Sequence, residues 1–214
     1  MSTILRDWSY RYQWLYDTVS FLAALTVGGT QRLHQLGLQH IDLKTSAHWQ
    51  VLDLCCGAGA ITEILVRHFS SVTGLDASPV AIKRAQINVP QAKYVIGFAE
   101  QMPLDDQSFD LVITNTAMHE MTSEQLAQIF AEVYRVLKPS GKFVIVDFHP
   151  PQNLLYWPPV SLFLYLFETE TAWQLLKTDL PQQLASLGFT NVQKQLYAGG
   201  SLQVLQVEKS CLIV

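Results

Sequence analysis

Between Val51 and Phe148 the chain alternates short apolar runs with amphipathic stretches, and this alternation limits the possible folds more than any other feature. Val51–Cys55, Val72–Asp76, Lys93–Gly97, Phe109–Asn115 and Lys142–Phe148 are brief apolar runs suited to strands buried on both faces. Between them, Ala60–Phe69, Ser78–Asn88 and Glu124–Leu137 carry apolar residues at helical spacing. Ser78-Pro79 is a helix start, and Lys138-Pro139-Ser140-Gly141 is a stop. Strands joined by helices imply right-handed crossovers, hence a parallel sheet with helices on both faces. The pattern then changes. A helix over Asp179–Leu187 precedes two alternating runs, Val192–Tyr197 and Leu202–Val207, around Ala198-Gly199-Gly200-Ser201. Gly-Gly between alternating runs predicts a hairpin, so the sheet gains an antiparallel pair at its end.

With 214 residues, 49% hydrophobic and 15% charged, the chain has enough apolar mass for one well-filled domain and too little length for two. The net charge is −4 and basic residues are scattered, which argues against a nucleic-acid partner and allows at most peripheral membrane contact. Cys55, Cys56 and Cys211 form neither a disulfide framework nor a metal-binding spacing. They suit the reducing cytoplasm, and the opening residues show no signal-peptide pattern. Pro150–Phe167 holds no charged side chain, but Pro150, Pro151, Pro158 and Pro159 interrupt it, so a membrane span is not expected. The final Cys211-Leu212-Ile213-Val214 has the form of a prenylation box, yet valine is not a usual last residue and no polybasic stretch precedes it.

The strongest local signal is Asp53-Leu54-Cys55-Cys56-Gly57-Ala58-Gly59, which leaves a strand and enters a helix. Gly57 and Gly59 allow a ligand close to the backbone, and the helix behind supplies unpaired N–H groups. Asp53 inside this turn would repel a pyrophosphate and suits a cationic ligand, while Thr62 stands where a dinucleotide site would carry its third glycine. Asp76 ends the second strand about twenty residues after the glycines, the spacing at which a carboxylate takes ribose hydroxyls. Capping of the helix at Ser78-Pro79 is the other role open to it.

Taken in order, Asp53–Gly59, Gly74–Pro79, Gly97–Leu104, Ser108–Val112 and Tyr134–Lys142 resemble the successive motifs of class I S-adenosylmethionine-dependent methyltransferases, in the branch of the ubiquinone and menaquinone biosynthesis C-methyltransferases. The resemblance covers about residues 16 to 148. It implies a Rossmann-like α/β fold: a seven-stranded mixed sheet with helices on both faces and its last strand antiparallel. It implies S-adenosylmethionine as cofactor, held at its methionine end by Asp53, Cys55, Gly57 and Gly59, at the ribose by Asp76, and at the adenine by Ala77 and Ala99. Asn115 would help hold the cofactor's amino group. The family usually has glycine at Cys55 and an acidic residue at Phe98. Phe98 cannot accept the adenine amino hydrogen bond; it could stack on the ring, or Glu100 could substitute, with a loss of about 1 kcal/mol. The single domain then divides into an N-terminal helical lid (1–45), a cofactor core (46–148), an apolar substrate-cap insertion (149–173) and a closing helix and hairpin (174–214).

His119, in the segment after the fourth strand, is the candidate catalytic base for an acceptor that must lose a proton, with Asp147 and His149 as second candidates. Quinone C-methyltransferases usually carry Arg-Asn where His119-Glu120 stand, which speaks against a quinone-ring substrate. The aromatic Pro150–Trp173 insertion suggests a small hydrophobic acceptor, quinol-, phenol- or lipid-like. The competing functions are an NAD-linked oxidoreductase and a catalytically inactive cofactor-binding module. No metal is expected, and the sequence leaves the oligomeric state open.

Overall fold

The apolar runs assemble as one seven-stranded sheet in the order β3-β2-β1-β4-β5-β7-β6. The structure is a computed structural model and describes residues 26–211. In chain order the elements are α1 (Thr30–Gln35), β1 (Gln50–Leu54), α2 (Ala60–Leu65), β2 (Ser71–Asp76), α3 (Pro79–Asn88), β3 (Lys93–Ile96), β4 (Phe109–Asn115), α4 (Ser123–Val136) and β5 (Leu137–Phe148). They continue with α5 (Trp157–Phe167), α6 (Glu170–Leu175), α7 (Leu180–Ser186), β6 (Phe189–Tyr197) and β7 (Leu202–Lys209). β1 to β5 pair in parallel, as crossover helices require. β7 runs antiparallel to both β5 and β6. The hairpin therefore inserts its second strand between β5 and β6, and β7 alone is reversed.

Two apolar layers explain why the central strands lack polar alternation. Phe143 and Ile145 of β5 join one cluster with Leu126, Ile129, Phe130 and Val133 of α4. Val144 and Val146 face the other, with Leu36, Ile61, Ile64 and Leu65. On α4 the buried positions follow helical spacing, and Thr122 starts the helix with a capping box. Its hydroxyl accepts from Gln125 N at 3.2 Å while its own N–H donates to Gln125 Oε1 at 3.0 Å.

Several expected boundaries shift. The helix predicted over Ala60–Phe69 ends at Leu65, and 3-10-like bonds such as His68 N to Leu65 O finish the turn. The Gly-Gly turn is a short 3-10 segment, Ala198–Gly200, with Gly199 at φ 63. The prolines at 158 and 159 do not prevent a helix: they lie in the first turn of α5, where no intrahelical N–H is needed. No helix among the described residues is long and apolar enough to cross a membrane. Of the N-terminal helical lid, residues 1–25 lie outside the described residues, as do Leu212, Ile213 and Val214 of the C-terminal box.

Candidate active site

The strand tips of the parallel sheet gather the predicted residues, as open α/β sheets do. After β1 the backbone turns through Cys55 (φ 60), Gly57 (φ 53) and Gly59 (φ 91) before α2 starts. A side chain at Gly57 would meet nothing within 4 Å, so open space lies beside the turn. Asp76 at the tip of β2 accepts two backbone hydrogen bonds, while the cap of α3 falls to Ser78. Its Oδ2 accepts from Gly57 N at 2.9 Å, tying the two tips together, and its Oδ1 accepts from Ser78 N at 2.8 Å. A carboxylate offers about four acceptor positions, so capacity for hydroxyls remains. Ser78 itself caps α3 through Ala81 N.

Asp53 is fully buried, and Thr62 donates to its Oδ2 at 2.5 Å. Thr62, which in sequence only marked a missing glycine, is thus the partner of that acid. Burial raises the Asp53 pKa to about 7; the Thr62 hydrogen bonds oppose this, and the nearby Asp76 charge adds to it. The adenine side is more open. Ala77 is exposed, Phe98 is 68% exposed, and Ala99 is buried. Glu100 is partly buried and accepts from Gln125 Nε2 at 2.6 Å, so α4 fixes its direction. The buried Nδ2 of Asn115, at the tip of β4, has no partner among the described residues.

These acids share one centre. Burial first, then the charges of Asp76, Asp53, Glu100 and Asp147, push the Cys55 thiol up to about 12. Four carboxylates around one turn make a field that favours a cation. An open glycine turn and this negative field fit S-adenosylmethionine, a nucleoside with a sulfonium and an ammonium group, and the Asn115 Nδ2, a donor, suits an acceptor such as its carboxylate.

His119 lies one turn past β4 and is 6% exposed. Asp147, buried at the end of β5, organises it. The Asp147 Oδ2 accepts from Met118 N at 2.8 Å and His119 N at 3.3 Å. Its Oδ1 accepts from Phe148 N at 2.7 Å and lies 2.8 Å from His119 Nδ1. Three backbone N–H groups and His119 Nδ1 converge on this one carboxylate, which orients the imidazole with a proton on Nδ1. The other nitrogen, Nε2, faces Glu168 Oε2 at 3.5 Å and Glu120 Oε1 at 4.0 Å. Burial lowers the pKa of this histidine, but the Asp147 charge and hydrogen bond, then Glu168 and Glu120, outweigh it and raise it to about 9. Ligand atoms of His119, Glu120 and Glu168 come within 4.8 Å of one another. Nε2 lies between the two carboxylates, an arrangement suited to ion pairs when the ring is protonated. His149, by contrast, points Nδ1 at the carbonyls of Pro150 and Gly200, both at 2.9 Å, and anchors the chain after β5.

Two contributors were not singled out from sequence. Glu168 lies after α5, distant in the chain from His119, and no local pattern marks it. Arg135 on α4 donates to Glu132, to Asp106, and to the carbonyls of Leu104 and Met102, while Glu132 accepts from Met102 N. This clamp holds the loop that carries Phe98, Ala99 and Glu100. Its signal was an arginine three residues after a glutamate in the last turns of the helix.

Fold and site together define a class I methyltransferase, a class whose methyl donor is S-adenosylmethionine. Residues 51–141 match the methyltransferase domain family. The chain is 56% identical, over 96% of its length and 96% of the other protein, to an uncharacterized methyltransferase of Synechocystis sp.. It is 31% identical to the demethylmenaquinone methyltransferase of Lactiplantibacillus plantarum, over 90% of this chain and 93% of that one. In fold it resembles a TehB-like S-adenosylmethionine-dependent methyltransferase of Corynebacterium glutamicum, with a TM-score of 0.64, 18% identity, and coverage of 94% and 99%. The chain belongs to the methyltransferase family. An NAD-linked oxidoreductase, the rival enzyme considered from sequence, is set aside by these matches.

Proposed function

We propose that this enzyme methylates a small hydrophobic acceptor, quinol-, phenol- or lipid-like, and that His119 accepts the acceptor's proton. The observation that carries this reading is the buried Asp147 carboxylate with its four N–H donors, which presents one defined nitrogen of His119 to the site. When bound, S-adenosylmethionine supplies a methyl group on a positively charged sulfur. In this reading the turn after β1, Asp76 and Asn115 hold it, and the surrounding carboxylates favour its charge. Nε2 takes a proton from a hydroxyl, and Asp147 stabilises the imidazolium that results. Phe148, 4.5 Å from the His119 ring, and Phe163, 5.9 Å from Phe148, give the imidazole an apolar flank. We take residues 149–173 as the cover of the acceptor, and an apolar cover excludes water from the transfer. The demethylmenaquinone relative supports an aromatic hydroxyl-bearing acceptor, while His119-Glu120 in place of Arg-Asn speaks for a ring other than its own.

The test is S-adenosylhomocysteine release against a panel of naphthols, alkylphenols, reduced naphthoquinols and fatty alcohols, with cofactor binding followed by calorimetry. Binding of the donor with turnover on at least one hydroxyl compound is expected. Donor binding without turnover on any of them contradicts the acceptor class, and absence of binding contradicts the whole reading.

A further inference from the structure

The segment after β5 is a small structure of its own. Leu164 of α5 and Ala172 of α6 pack with Leu176 as a separate apolar cluster, against Phe148, Val160, Phe163 and Trp173. Its link to the core is partly aromatic, through the rings of Phe163 and Phe148 to that of His119. Its start is tied to the turn at 199–201 by backbone bonds of His149, Gln152 and Asn153, and the polar contact it makes at the imidazole is Glu168, between α5 and α6, whose side chain is 10% exposed and whose Oε2 lies 3.5 Å from His119 Nε2. A carboxylate so buried is costly unless it meets a positive charge. The imidazole ring is thus held from both sides. Asp147 of β5 fixes one nitrogen, and a residue from a segment about twenty positions further on faces the other.

We propose that Glu168 is a positioning residue for the methyl transfer, joining the apolar segment 149–176 to the reactive nitrogen of His119 so that docking of the segment and alignment of the imidazole are one event. The inference rests on the reading of His119 as the proton acceptor. Among the described residues, the charged groups facing the ring are Asp147 from β5, Glu120 from the turn after β4, and Glu168. Glu120 is farther away and its side chain is 35% exposed, so solvent weakens its effect. Of the two carboxylates that the described residues bring to Nε2, Glu168 is the closer and drier, and it belongs to the segment after β5. Removing its charge therefore both loosens that segment and eases loss of the imidazolium proton.

The test needs no known acceptor. The full chain is saturated with S-adenosylhomocysteine, and the His119 ring is titrated by NMR in the wild type, Glu168→Gln and Glu168→Asp. Limited proteolysis follows the segment, and thermal unfolding confirms that each variant folds. In Glu168→Gln the His119 midpoint should fall by about one pH unit or more, the effect of losing one close opposite charge. Cleavage within 149–176 should quicken at least threefold, and Glu168→Asp should restore much of both. An unchanged midpoint, or a shifted midpoint with unchanged cleavage, overturns the proposal. If Glu168→Gln fails to fold, Glu168→Asp alone decides: the longer gap should lower the midpoint part-way, and an unmoved midpoint counts against Glu168. Loss of turnover in a His119 variant is a separate result and bears on the proton-acceptor reading instead.

Discussion

At the residue scale the site stores strain and charge in the same few positions. Cys55 holds φ 60, a left-handed conformation that costs a non-glycine residue roughly 1–2 kcal/mol. Cys55→Gly relieves this at the expense of a more flexible unfolded chain. We expect a melting temperature within about 2 °C of wild type and tighter S-adenosylhomocysteine binding by calorimetry; weaker binding would show that the thiol itself is needed. Asp53 is the opposite case, a charge held where burial opposes it. Its pKa is raised to about 7 in the fold, above the ordinary carboxylate value, so the folded state keeps a proton that the unfolded chain has already lost. That contribution is present at acid pH and disappears as pH climbs from the unfolded value through about 7. Asp53→Asn should therefore raise the melting temperature at pH 8 by about 3 °C or more, with calorimetry showing weaker donor binding. A lower melting temperature at pH 8 contradicts this account of Asp53.

At the scale of elements, the loop that faces the adenine side is only as firm as the helix that clamps it. Arg135→Ala removes several charge-assisted hydrogen bonds to the residues around Met102 and Leu104, and leaves Glu132 without its cation. Burial of Glu132 opposes its charge, while the Arg135 hydrogen bond, the larger influence, holds its carboxyl below the ordinary value. Calorimetry on Arg135→Ala should show donor affinity down about tenfold, with one charged hydrogen bond at ~1.5 kcal/mol as the guide. Unchanged affinity would mean that the loop is held by its packing alone. The elements were legible in sequence where local chemistry decides them: Phe109–Asn115 as a strand, Ser78-Pro79 as a helix start, and Lys138–Gly141 as the end of α4. What escaped is what tertiary contact decides. Alternation showed that the last two runs form a hairpin, but not that β7 would enter between β5 and β6. The site divides in the same way. Asp53, Gly57 and Asp76 lie in runs whose spacing suggests a ligand, and Asn115 followed from the family resemblance alone. The pairing of His119 with Asp147 joins residues 28 positions apart and needed the adjacency of β4 and β5.

At the scale of the whole molecule, one apolar sheet brings several acids to its strand tips, and the fold bears their charge because a cation belongs among them. His119 carries this into stability. Its pKa is raised to about 9, so the stabilisation from its ion pairs is complete below the unfolded value and is lost as pH rises through about 9. Chemical unfolding should give a free energy that falls between about pH 6.5 and 9, with a shallower fall in His119→Ala; equal slopes would mean that the histidine is not charged in the fold. On the role proposed for His119 the same protonation would govern activity, because only neutral imidazole can accept a proton. The most direct measurement is therefore the rate of S-adenosylhomocysteine formation from pH 6 to 10, for wild type and His119→Ala, with an acceptor found in the hydroxyl panel. The wild-type rate should climb with pH and level off near 9, and the variant should be at least tenfold slower with donor binding intact. A variant that turns over at the wild-type rate, with the same pH profile, would contradict the role given to His119.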